Sequence, residues 1–504
     1  MLFNSFSFLL FFPIVVAIYY LAPHKWRSLI LLIASSYFYM AFVPKYILIL
    51  FFLIATDFFL AKQIEKNQGE KRKILLFVSI LANLGTLFVF KYFNFFSDNV
   101  GALARLIHWN YSLPILSIVL PLGLSFHVFQ SLSYVIEVYR GKYRAENNLL
   151  TYALYVMFFP QLVAGPIERP YNLLPQLKQE QKFGLQNLKA GLERMLWGFF
   201  KKIVIADNLA AYVDQAYLYP QGYSGLILLT ATFFFAIQLY CDFSGYSDIA
   251  IGGAQVLGIK LIENFNYPYL SRSMAEYWRR WHMSLSNWLR DYLYYPLVFS
   301  IKAHVRTRLY LALFITMVLI GLWHGADWTF VAFGALHGFY MVFGQITQKS
   351  RQWIVRKVGF LKFPRLYHFW QTLLTFSLAC IGFVFFRAAT LGDAGYILIH
   401  SFNGLIGFFG RFVGVTTSLN QATTPALFGF LNQFLLDGEG RRQFLFLIFL
   451  VLFFVLAEAV SYSKTLNLFS VKYRWVRAVL YFSAVLAIMN LGVTHEIPFI
   501  YFQF

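Results

Sequence analysis

His324 has the residue type and the setting for acid–base chemistry inside a membrane. It occurs in MVLIGLWHGADWTFVAFGALHGFYMVF, near the end of one apolar run and the start of the next. Counted from Leu309, the imidazole is about 22 Å along a helix, which predicts a position deep in the bilayer. An ionisable side chain is unfavourable at that depth and is a functional candidate. A neutral imidazole can accept a proton near neutral pH, so His324 could activate a hydroxyl for attack on an acyl thioester.

Glycines surround this histidine at a helix-packing spacing. Gly321 with Gly325 forms one small-residue pair, and Gly334 with Gly338 forms another. Such pairs let helix backbones approach closely, so ordinary helix packing explains the spacing by itself. Helix packing does not explain the Trp-His-Gly triplet. The absence of a Cβ beside the imidazole would let a substrate chain come near it.

A second histidine, His282, lies in the segment 260–308, which is too polar to cross lipid and too aromatic for an ordinary loop. Apolar and aromatic residues recur there at the helical period and define one face. They are Trp278, Trp281, His282, Leu285, Trp288 and Leu289. Arg279 and Arg280 fall largely off that face. The pattern predicts an amphipathic helix at or beneath the cytoplasmic face. A histidine on its inward side is more often a structural residue than a catalytic one.

Acidic residues within apolar runs are the other candidates for chemistry. They are Asp57, Asp207, Asp242, Asp248 and Glu458. Asp242 and Asp248 flank an expected break in CDFSGYSDIAIGGAQVLG, which could be a hydrogen-bonded kink, a proton relay or an orienting carboxylate for a histidine. The sequence has no serine-nucleophile elbow, P-loop, HExxH or CxxC motif. The histidines lack carboxylates or cysteines at ligand spacing, so we expect no metal.

The composition requires that these residues belong to a membrane protein. Of the 504 residues, 59% are hydrophobic and 13% are charged, and the mean hydropathy is +0.60. The charged fraction is about half of that in soluble domains. A soluble domain could not cover so much apolar surface. No polar linker divides the chain, so we predict one polytopic membrane domain over residues 1–504.

The net charge of +20 indicates basic loops rather than nucleic-acid binding. Lys and Arg cluster between long apolar stretches, as they do in the cytoplasmic loops of membrane proteins. We therefore expect no nucleic-acid partner. The first apolar run has no basic n-region and no small-residue cleavage site, which predicts a retained helix. Its basic C-terminal flank places the N-terminus outside and Lys25 inside.

Runs of about 20 apolar residues can cross the hydrocarbon core of a bilayer as helices. The sequence predicts such spans at 5–22, 29–43, 46–61, 74–93, 113–136, 195–213, 224–241, 309–326, 328–347, 368–387, 444–462 and 476–493. The segment 145–178 fits no plain hairpin, because Pro160, Gly165, Pro166 and Pro170 interrupt it. We expect a re-entrant segment there, buried in protein or lining a cavity.

Five separated motifs, in order, resemble the membrane-bound O-acyltransferase superfamily. They are PLGLSFHVFQSLSYVIEVYRG (121–141), FFPQLVAGPIERP (158–170), LYCDFSGYSDIAIGGAQVLGI (239–259), NFNYPYLSRSMAEYWRRWHMSLSNWLRDYLYYPL (264–297) and GLWHGADWTFVAFGALHG (321–338). Within the superfamily, the chain is most similar to the bacterial branch of alginate O-acetyltransferase membrane subunits, which the ending HEIPFIYFQF also resembles. The resemblance runs along the whole chain, including the C-terminal helices at 368–504, and is densest over 120–340.

The resemblance implies an all-α ring of transmembrane helices, with re-entrant and interfacial helices, around a central tunnel. It places His324 at the essential histidine of the superfamily and His282 at a second, upstream catalytic position. Trp323, Gly325 and Asp327 are then expected to shape the site. Further candidates for the tunnel or the donor site are Trp281, Arg279, Arg280, Asp242 and Asp248.

The resemblance also implies a reaction. The donor would be cytosolic acetyl-CoA, with no bound cofactor, and Arg279 or Arg280 could pair with its phosphates. The acceptor would be a serine hydroxyl on a periplasmic or extracellular SGNH-type acetyltransferase, which then acetylates a polysaccharide. The protein would lie in the bacterial plasma (inner) membrane, in contact with lipid.

Three other functions stay open from the sequence. D-alanyl or other acyl transfer to a cell-wall polymer uses the same core, although those enzymes are usually shorter. A transporter without covalent chemistry would suit deep acids and broken helices, but no inverted repeat is evident. A non-catalytic scaffold for biosynthetic partners would leave the histidines dispensable.

Overall fold

The computed structural model describes residues 1–109, 115–118, 120–163, 165–418, 439–463, 473–493 and 497–502. Within those ranges the chain forms helices and connecting loops without any β-strand, which confirms the predicted all-α fold. Helices satisfy their own backbone hydrogen bonds, as a chain in lipid must.

Seven helices within the described ranges are long and apolar enough to cross a membrane. They are Pro44–Lys66, Gly69–Leu106, Gly225–Val256, Val305–His324, Trp328–Ile346, Pro364–Arg387 and Arg442–Tyr462. Two shorter apolar helices, Phe6–Leu21 and Trp475–Leu491, add to them. The chain is therefore a multi-pass membrane protein, as predicted. Three of the predicted spans, 29–43, 113–136 and 195–213, are not among these nine helices.

The first part of the chain forms six helices. They are α1 (Phe6–Leu21), α2 (His24–Met40), α3 (Ile47–Lys66), α4 (Gly69–Leu87), α5 (Phe93–Leu106) and α6 (Leu124–Tyr139). A π-helical turn, Phe88–Tyr92, joins α4 to α5 in one long helix. The predicted span 113–136 begins outside the described residues, and its described part is helical only from Leu124, where α6 begins with nearly all of its side chains buried in protein.

The segment 145–178 has the burial expected of a re-entrant segment. Its three short helices are α7 (Leu149–Met157), α8 (Phe159–Leu162) and α9 (Pro170–Lys178). Every residue from 151 to 163 is buried. The hydroxyl of Ser35 accepts a hydrogen bond from the backbone N–H of Phe159 at 3.1 Å. The interrupted backbone is therefore packed inside protein, where its polar groups find partners.

The next three helices are α10 (Leu185–Phe199), α11 (Asp207–Leu218) and α12 (Gly225–Val256). A second π-helical turn, Phe200–Ala206, joins α10 to α11. A Cβ added at Gly198 would lie 2.7 Å from the carbonyl oxygen of Gly245, so α10 and α12 touch backbone to backbone. The predicted break between Asp242 and Asp248 is wrong, because α12 runs through 32 residues and its small residues form the contact with α10.

The amphipathic segment folds as two helices rather than one. Helices α13 (Met274–Arg280) and α14 (Met283–Leu289) are separated at His282, whose φ is 42°. The predicted continuous helix is therefore wrong, although every residue of its apolar face is buried. A left-handed conformation is rare for such a side chain and persists only where the surrounding structure fixes it.

The remaining helices run from Tyr295 towards the C-terminus. They are α15 (Tyr295–Ser300), α16 (Val305–His324), α17 (Trp328–Ile346), α18 (Gln348–Val358), α19 (Pro364–Arg387), α20 (Leu391–Ser418), α21 (Glu439–Tyr462) and α22 (Arg474–Leu491). Helix α20 is absent from the predicted spans. A last 3₁₀ turn, Ile500–Phe502, returns the chain to the buried core.

Several basic clusters of the sequence meet at one end of the molecule, here called the basic end. Polar contacts join clusters that are far apart in the chain. Arg27 donates to the carbonyl of Gln181, Arg72 to that of Tyr139 and Arg140 to that of Asp291, and Lys178 pairs with Glu146. This arrangement agrees with the predicted orientation, in which the basic end faces the cytoplasm.

Two glycines allow α16 and α17 to pack backbone to backbone. A Cβ added at Gly334 would lie 2.4 Å from the carbonyl oxygen of Met317 and 3.1 Å from the Cα of Gly321. Their predicted packing role is confirmed. Gly325 differs from the prediction, because the ring of Phe330 lies 2.1 Å from where its Cβ would be. That glycine accommodates a neighbouring ring and does not open a way to the imidazole.

Replacing Gly334 by alanine should destabilise the fold, because the new methyl group would meet backbone rather than a movable side chain. Overpacking of this kind costs about 1–3 kcal/mol, and we expect a clear fall in the melting temperature of the purified protein in detergent. Gly85→Ala is the control, since nothing lies within 4 Å of a Cβ at Gly85. It should leave the melting temperature unchanged or raise it. Equal melting temperatures for the two variants would contradict the packing described here.

Candidate active site

His324 is the last residue of α16, and only 4% of it is exposed. The helix covers 20 residues from Val305, or about 30 Å. The histidine therefore lies at the end of the span that is remote from the basic end. Surrounding protein removes it from solvent, whereas the sequence predicted burial by depth in the bilayer.

The last carbonyls of α16 find hydrogen-bond donors on the long helix formed by α4 and α5. The ammonium of Lys91 donates to the carbonyl oxygens of Trp323 at 2.7 Å and His324 at 2.8 Å. The hydroxyl of Tyr92 donates to the carbonyl of Leu322 at 3.1 Å. Both donors come from the π-helical turn between α4 and α5. That turn completes the helix end that presents the imidazole.

Aromatic rings enclose the imidazole of His324. The distances between ring centroids are 4.9 Å to Trp323, 5.1 Å to Phe386, 5.3 Å to Tyr501 and 5.9 Å to Phe333. Nδ1 of His324 is buried and has no hydrogen-bond partner among the described residues. Because an unpartnered buried nitrogen is unfavourable, a polar group supplied by a substrate would stabilise this arrangement.

His282 is buried completely, and neither of its ring nitrogens has a partner in the described parts of the chain. Its ring centroid lies 4.6 Å from that of Phe243 and 6.0 Å from that of Trp323. Burial lowers the pKa of His282 to about 3, so its imidazole is neutral. Trp323, which also contacts His324, therefore links the two histidines.

A cavity opens onto His324 at the end opposite the basic end. Its volume is about 150 Å³, and its lining includes Lys91, Trp323, His324, Tyr501 and the stretch 120–126. A water molecule occupies roughly 30 Å³ in the liquid, so the space suffices for an acetyl group and a hydroxyl. We call it the His324 cavity.

A larger cavity, of about 740 Å³, lies at the basic end. Its charged lining residues are Glu193, Arg194, Lys201, Asp248, Glu263 and Glu458. Met283 also lines it and follows His282 directly in the chain. Near Glu263, the backbone N–H of Lys260 donates to the side chain of Gln176 on α9, which places the cavity beside the basic clusters. We call it the basic-end cavity.

Four rings lie between the two cavities, and we call them the aromatic partition. They belong to Phe243, His282, Trp323 and Tyr501. The centroid of Phe243 lies 4.6 Å from the centroids of both His282 and Tyr501. The two cavities therefore approach the histidine pair from opposite ends of the molecule. A group that passes from one to the other must pass these rings.

Asp242 contacts the C-terminal segment and a lysine rather than a histidine. Its carboxylate pairs with the ammonium of Lys202 at 2.9 Å and accepts the backbone N–H of Ile500 at 2.8 Å. Lys202 is 1% exposed and also pairs with Asp207 at 2.7 Å. Because Ile500 precedes Tyr501, this ion-pair cluster fixes one ring of the aromatic partition.

Asp248 pairs with Lys201 at 2.5 Å and with Arg194 at 2.8 Å, on the wall of the basic-end cavity. The polar contacts of both Asp242 and Asp248 thus go to cations and backbone. The sequence had left open a carboxylate that orients a histidine, and neither acid has that geometry.

Comparison with known proteins now decides the family. Residues 33–387 match the membrane-bound O-acyltransferase family. The chain belongs to that family. It is similar to the probable alginate O-acetylase AlgI of Pseudomonas aeruginosa, with 38% identity over 396 residues, which is 78% of this chain and 73% of the relative.

Two further relatives carry other acyl-transfer names. The peptidoglycan O-acetyltransferase of Helicobacter pylori is 33% identical over 418 residues, or 77% of this chain and 75% of the relative. The teichoic acid D-alanyltransferase of Bacillus subtilis is 29% identical over 282 residues, or 53% of this chain and 68% of the relative. The chain is therefore a membrane-bound acyltransferase.

In this acyltransferase the residues predicted for the donor side lie apart from His324. Trp281 is buried among rings. Arg279 is exposed. Arg280 pairs with Glu276 at 2.7 Å and lies over the ring of Tyr462. Arg280 is thus close to the end of α21, where Ser461 lines the basic-end cavity.

Asp327, predicted to shape the site, is exposed and caps α17 instead. Its carboxylate accepts the backbone N–H of Thr329 at 2.8 Å. A side-chain acceptor at this position satisfies a free N–H group of the helix start. Asp327 therefore fixes the turn after His324 without lining the cavity.

Sequence reasoning missed three residues in or around the candidate site: Lys91, Lys202 and Tyr501. Lys91 carries a faint signal, because it is a lone cation in the apolar run LGTLFVFKYFNFF. Lys202 belongs to a cluster of basic residues in the sequence, which indicated a charged loop. Tyr501 belongs to the C-terminal motif and lies beyond the residues that match the family. Burial raises the pKa of Tyr501, so its hydroxyl stays protonated.

Replacing Lys202 by methionine should destabilise the protein strongly, because Asp207 and Asp242 would face each other without a cation. Breaking a buried ion pair by removing one partner costs about 3–5 kcal/mol, so we expect a large fall in melting temperature in detergent. Lys73→Met is the control, since the pair of Lys73 with Glu70 is exposed and contributes little. A Lys202→Met variant as stable as Lys73→Met would show that the cluster does not hold the core.

Proposed function

We propose that this acyltransferase moves an acetyl group from cytosolic acetyl-CoA to a hydroxyl on the outer side of the bacterial inner membrane, with His324 as general base. One observation carries the proposal. The buried imidazole has an unpartnered nitrogen and lines a cavity at the end opposite the basic end. A base in that position can take a proton from an acceptor that arrives from outside.

The reaction balances with one histidine. The imidazole of His324 takes the proton of the acceptor hydroxyl, and the oxygen attacks the carbonyl carbon of the thioester. The C–S bond then breaks, and the departing thiolate recovers the proton from the imidazolium. The products are an acetyl ester and free CoA. His282 is neutral and adjoins the wall of the basic-end cavity, so it faces the donor arm as it arrives.

The charges at the basic end support a donor that enters there. Under the positive-inside rule this end faces the cytoplasm. The charged lining of the basic-end cavity consists of four carboxylates and two cations. Such a net negative lining disfavours phosphates and suits the uncharged thioester arm. We propose that Arg279 and Arg280, which are outside this lining, pair with the phosphates of the donor.

The names of the relatives favour a polysaccharide as the final acceptor. Those relatives are named for alginate, peptidoglycan and teichoic acid. The His324 cavity is too small for a stretch of polymer but admits a single side chain. We therefore propose that a serine hydroxyl of an external SGNH-type acetyltransferase receives the acetyl group and passes it to the polysaccharide.

The structure weakens the case for transport without covalent chemistry, which relied on deep acids and on broken helices. The acids are engaged: Asp207 and Asp242 pair with Lys202, Asp248 pairs with Lys201, and Asp57 accepts hydrogen bonds from Ser79 and Asn83. Helix α12, where a break was expected, is continuous.

His324→Ala should abolish acetylation without loss of the folded protein. A general base contributes about 10²–10⁴-fold to a rate, so ester acetate in the envelope should fall to background. The measurement is acetate released by mild alkali from envelope polysaccharide of cells that carry each variant in place of the native chain. His304→Ala is the control, because His304 is exposed and lines neither cavity.

The melting temperature of purified His324→Ala, compared with that of the native chain, separates loss of activity from loss of fold. A folded His324→Ala that restores normal ester acetate would overturn the assignment of the base. It would favour a scaffold, for which the histidines are dispensable.

A further inference from the structure

The π-helical turn at Phe88–Tyr92 directs two consecutive polar side chains to the end of α16. Such turns widen the helix backbone and occur frequently at functional sites. Lys91 and Tyr92 both donate to the last carbonyls of α16. Only Lys91 also lines the His324 cavity. The two neighbours therefore share a capping role and differ in their access to the site.

The ammonium of Lys91 has one donor beyond those used for capping. It carries three N–H groups, and two of them reach carbonyl oxygens, at 2.7 and 2.8 Å. Among the described residues, no carboxylate forms an ion pair with it. In its protonated form Lys91 is therefore a cation without a counter-ion in the cavity.

This charge stands beside the proposed base in a largely apolar cavity. Lys91, His324 and Tyr501 share the lining with side chains such as Phe42 and Leu122. In such surroundings an unpaired cation attracts negative charge far more strongly than in water. Negative charge develops there when a hydroxyl attacks a thioester, on the former carbonyl oxygen.

We propose that Lys91 is a catalytic residue that stabilises the oxyanion of the tetrahedral intermediate. The inference rests on the proposed function. His324 takes the proton of the hydroxyl, the new C–O bond forms, and the carbonyl electron pair moves to oxygen beside the ammonium of Lys91. When the pair returns, the C–S bond breaks and the thiolate takes the proton from His324. Lys91 keeps its own protons throughout.

Capping alone does not require a lysine at this position. Tyr92 caps the neighbouring carbonyl of Leu322 with a neutral hydroxyl, and a neutral donor suffices for that purpose. A cation adds the ability to stabilise charge that appears only in the transition state. Interactions of that kind raise kcat rather than ground-state binding.

The experiment uses membranes that contain the full chain and its natural acceptors, with acetyl-CoA as the probe and released CoA thiol as the readout. Lys91→Gln keeps N–H donors for capping and removes the charge, whereas Lys91→Arg keeps both. Tyr92→Phe is the matched control for loss of a cap. We expect Lys91→Gln to lower kcat about 10²–10³-fold, the usual effect of losing one oxyanion donor. The KM for acetyl-CoA should be unchanged, Lys91→Arg should retain much of the rate, and Tyr92→Phe, which loses a cap but no charge, should lose far less of the rate than Lys91→Gln.

Three results would overturn the role of Lys91 while leaving the proposed function intact, provided that His324→Ala is inactive. One is a native kcat for Lys91→Gln. Another is a raised KM with unchanged kcat, which would indicate ground-state binding of an anion. The third is an equal fall in rate and in melting temperature for Lys91→Gln, Lys91→Arg and Tyr92→Phe. That result would show that Lys91 only caps the end of α16. Activity in His324→Ala would instead remove the proposed function itself.

Discussion

The buried carbonyl end of α16 is the constraint on which the site depends. A helix that ends inside protein leaves its last carbonyls without partners, and each must find a donor. Here the donors are Lys91 and Tyr92, more than 200 residues away in the chain. By meeting that requirement, the long helix of α4 and α5 is fixed against α16. The imidazole of His324 is thereby held on the wall of a cavity, with a cation beside it.

Buried charged groups on the other side of the aromatic partition also have partners. Two consecutive lysines, Lys201 and Lys202, come from another π-helical turn and serve different carboxylates. The first pairs on the wall of the basic-end cavity, and the second balances two acids in the core. Through Asp242 this core cluster binds the backbone of Ile500 and so positions Tyr501. Charged groups that resembled a proton pathway thus hold the partition in place.

Features that depend on a local pattern could be predicted from the sequence. An ionisable residue in an apolar run identified His324, a helical period placed His282 on a buried face, and prolines marked the re-entrant segment. Features that depend on distant contacts could not. The period continues across His282, so nothing local predicts a left-handed residue there. Lys91 acquires its role only from the carbonyls of Trp323 and His324. The small residues of α12 suggested a break, but close packing against α10 keeps that helix continuous.

The most direct test is to determine on which side of the membrane the acetyl group and the CoA of the donor are found after the reaction. The protein would be reconstituted in sealed vesicles of known orientation, with glycerol as hydroxyl acceptor at the end opposite the basic end. Acetyl-CoA labelled in both the acetyl group and the CoA would be added at the basic end only. If the acetyl group crosses at the histidine pair, its label appears as an ester on the glycerol side while the CoA label stays where it was added. Two results would contradict this account. One is that both labels cross the membrane together, and the other is that the ester forms on the side where acetyl-CoA was added.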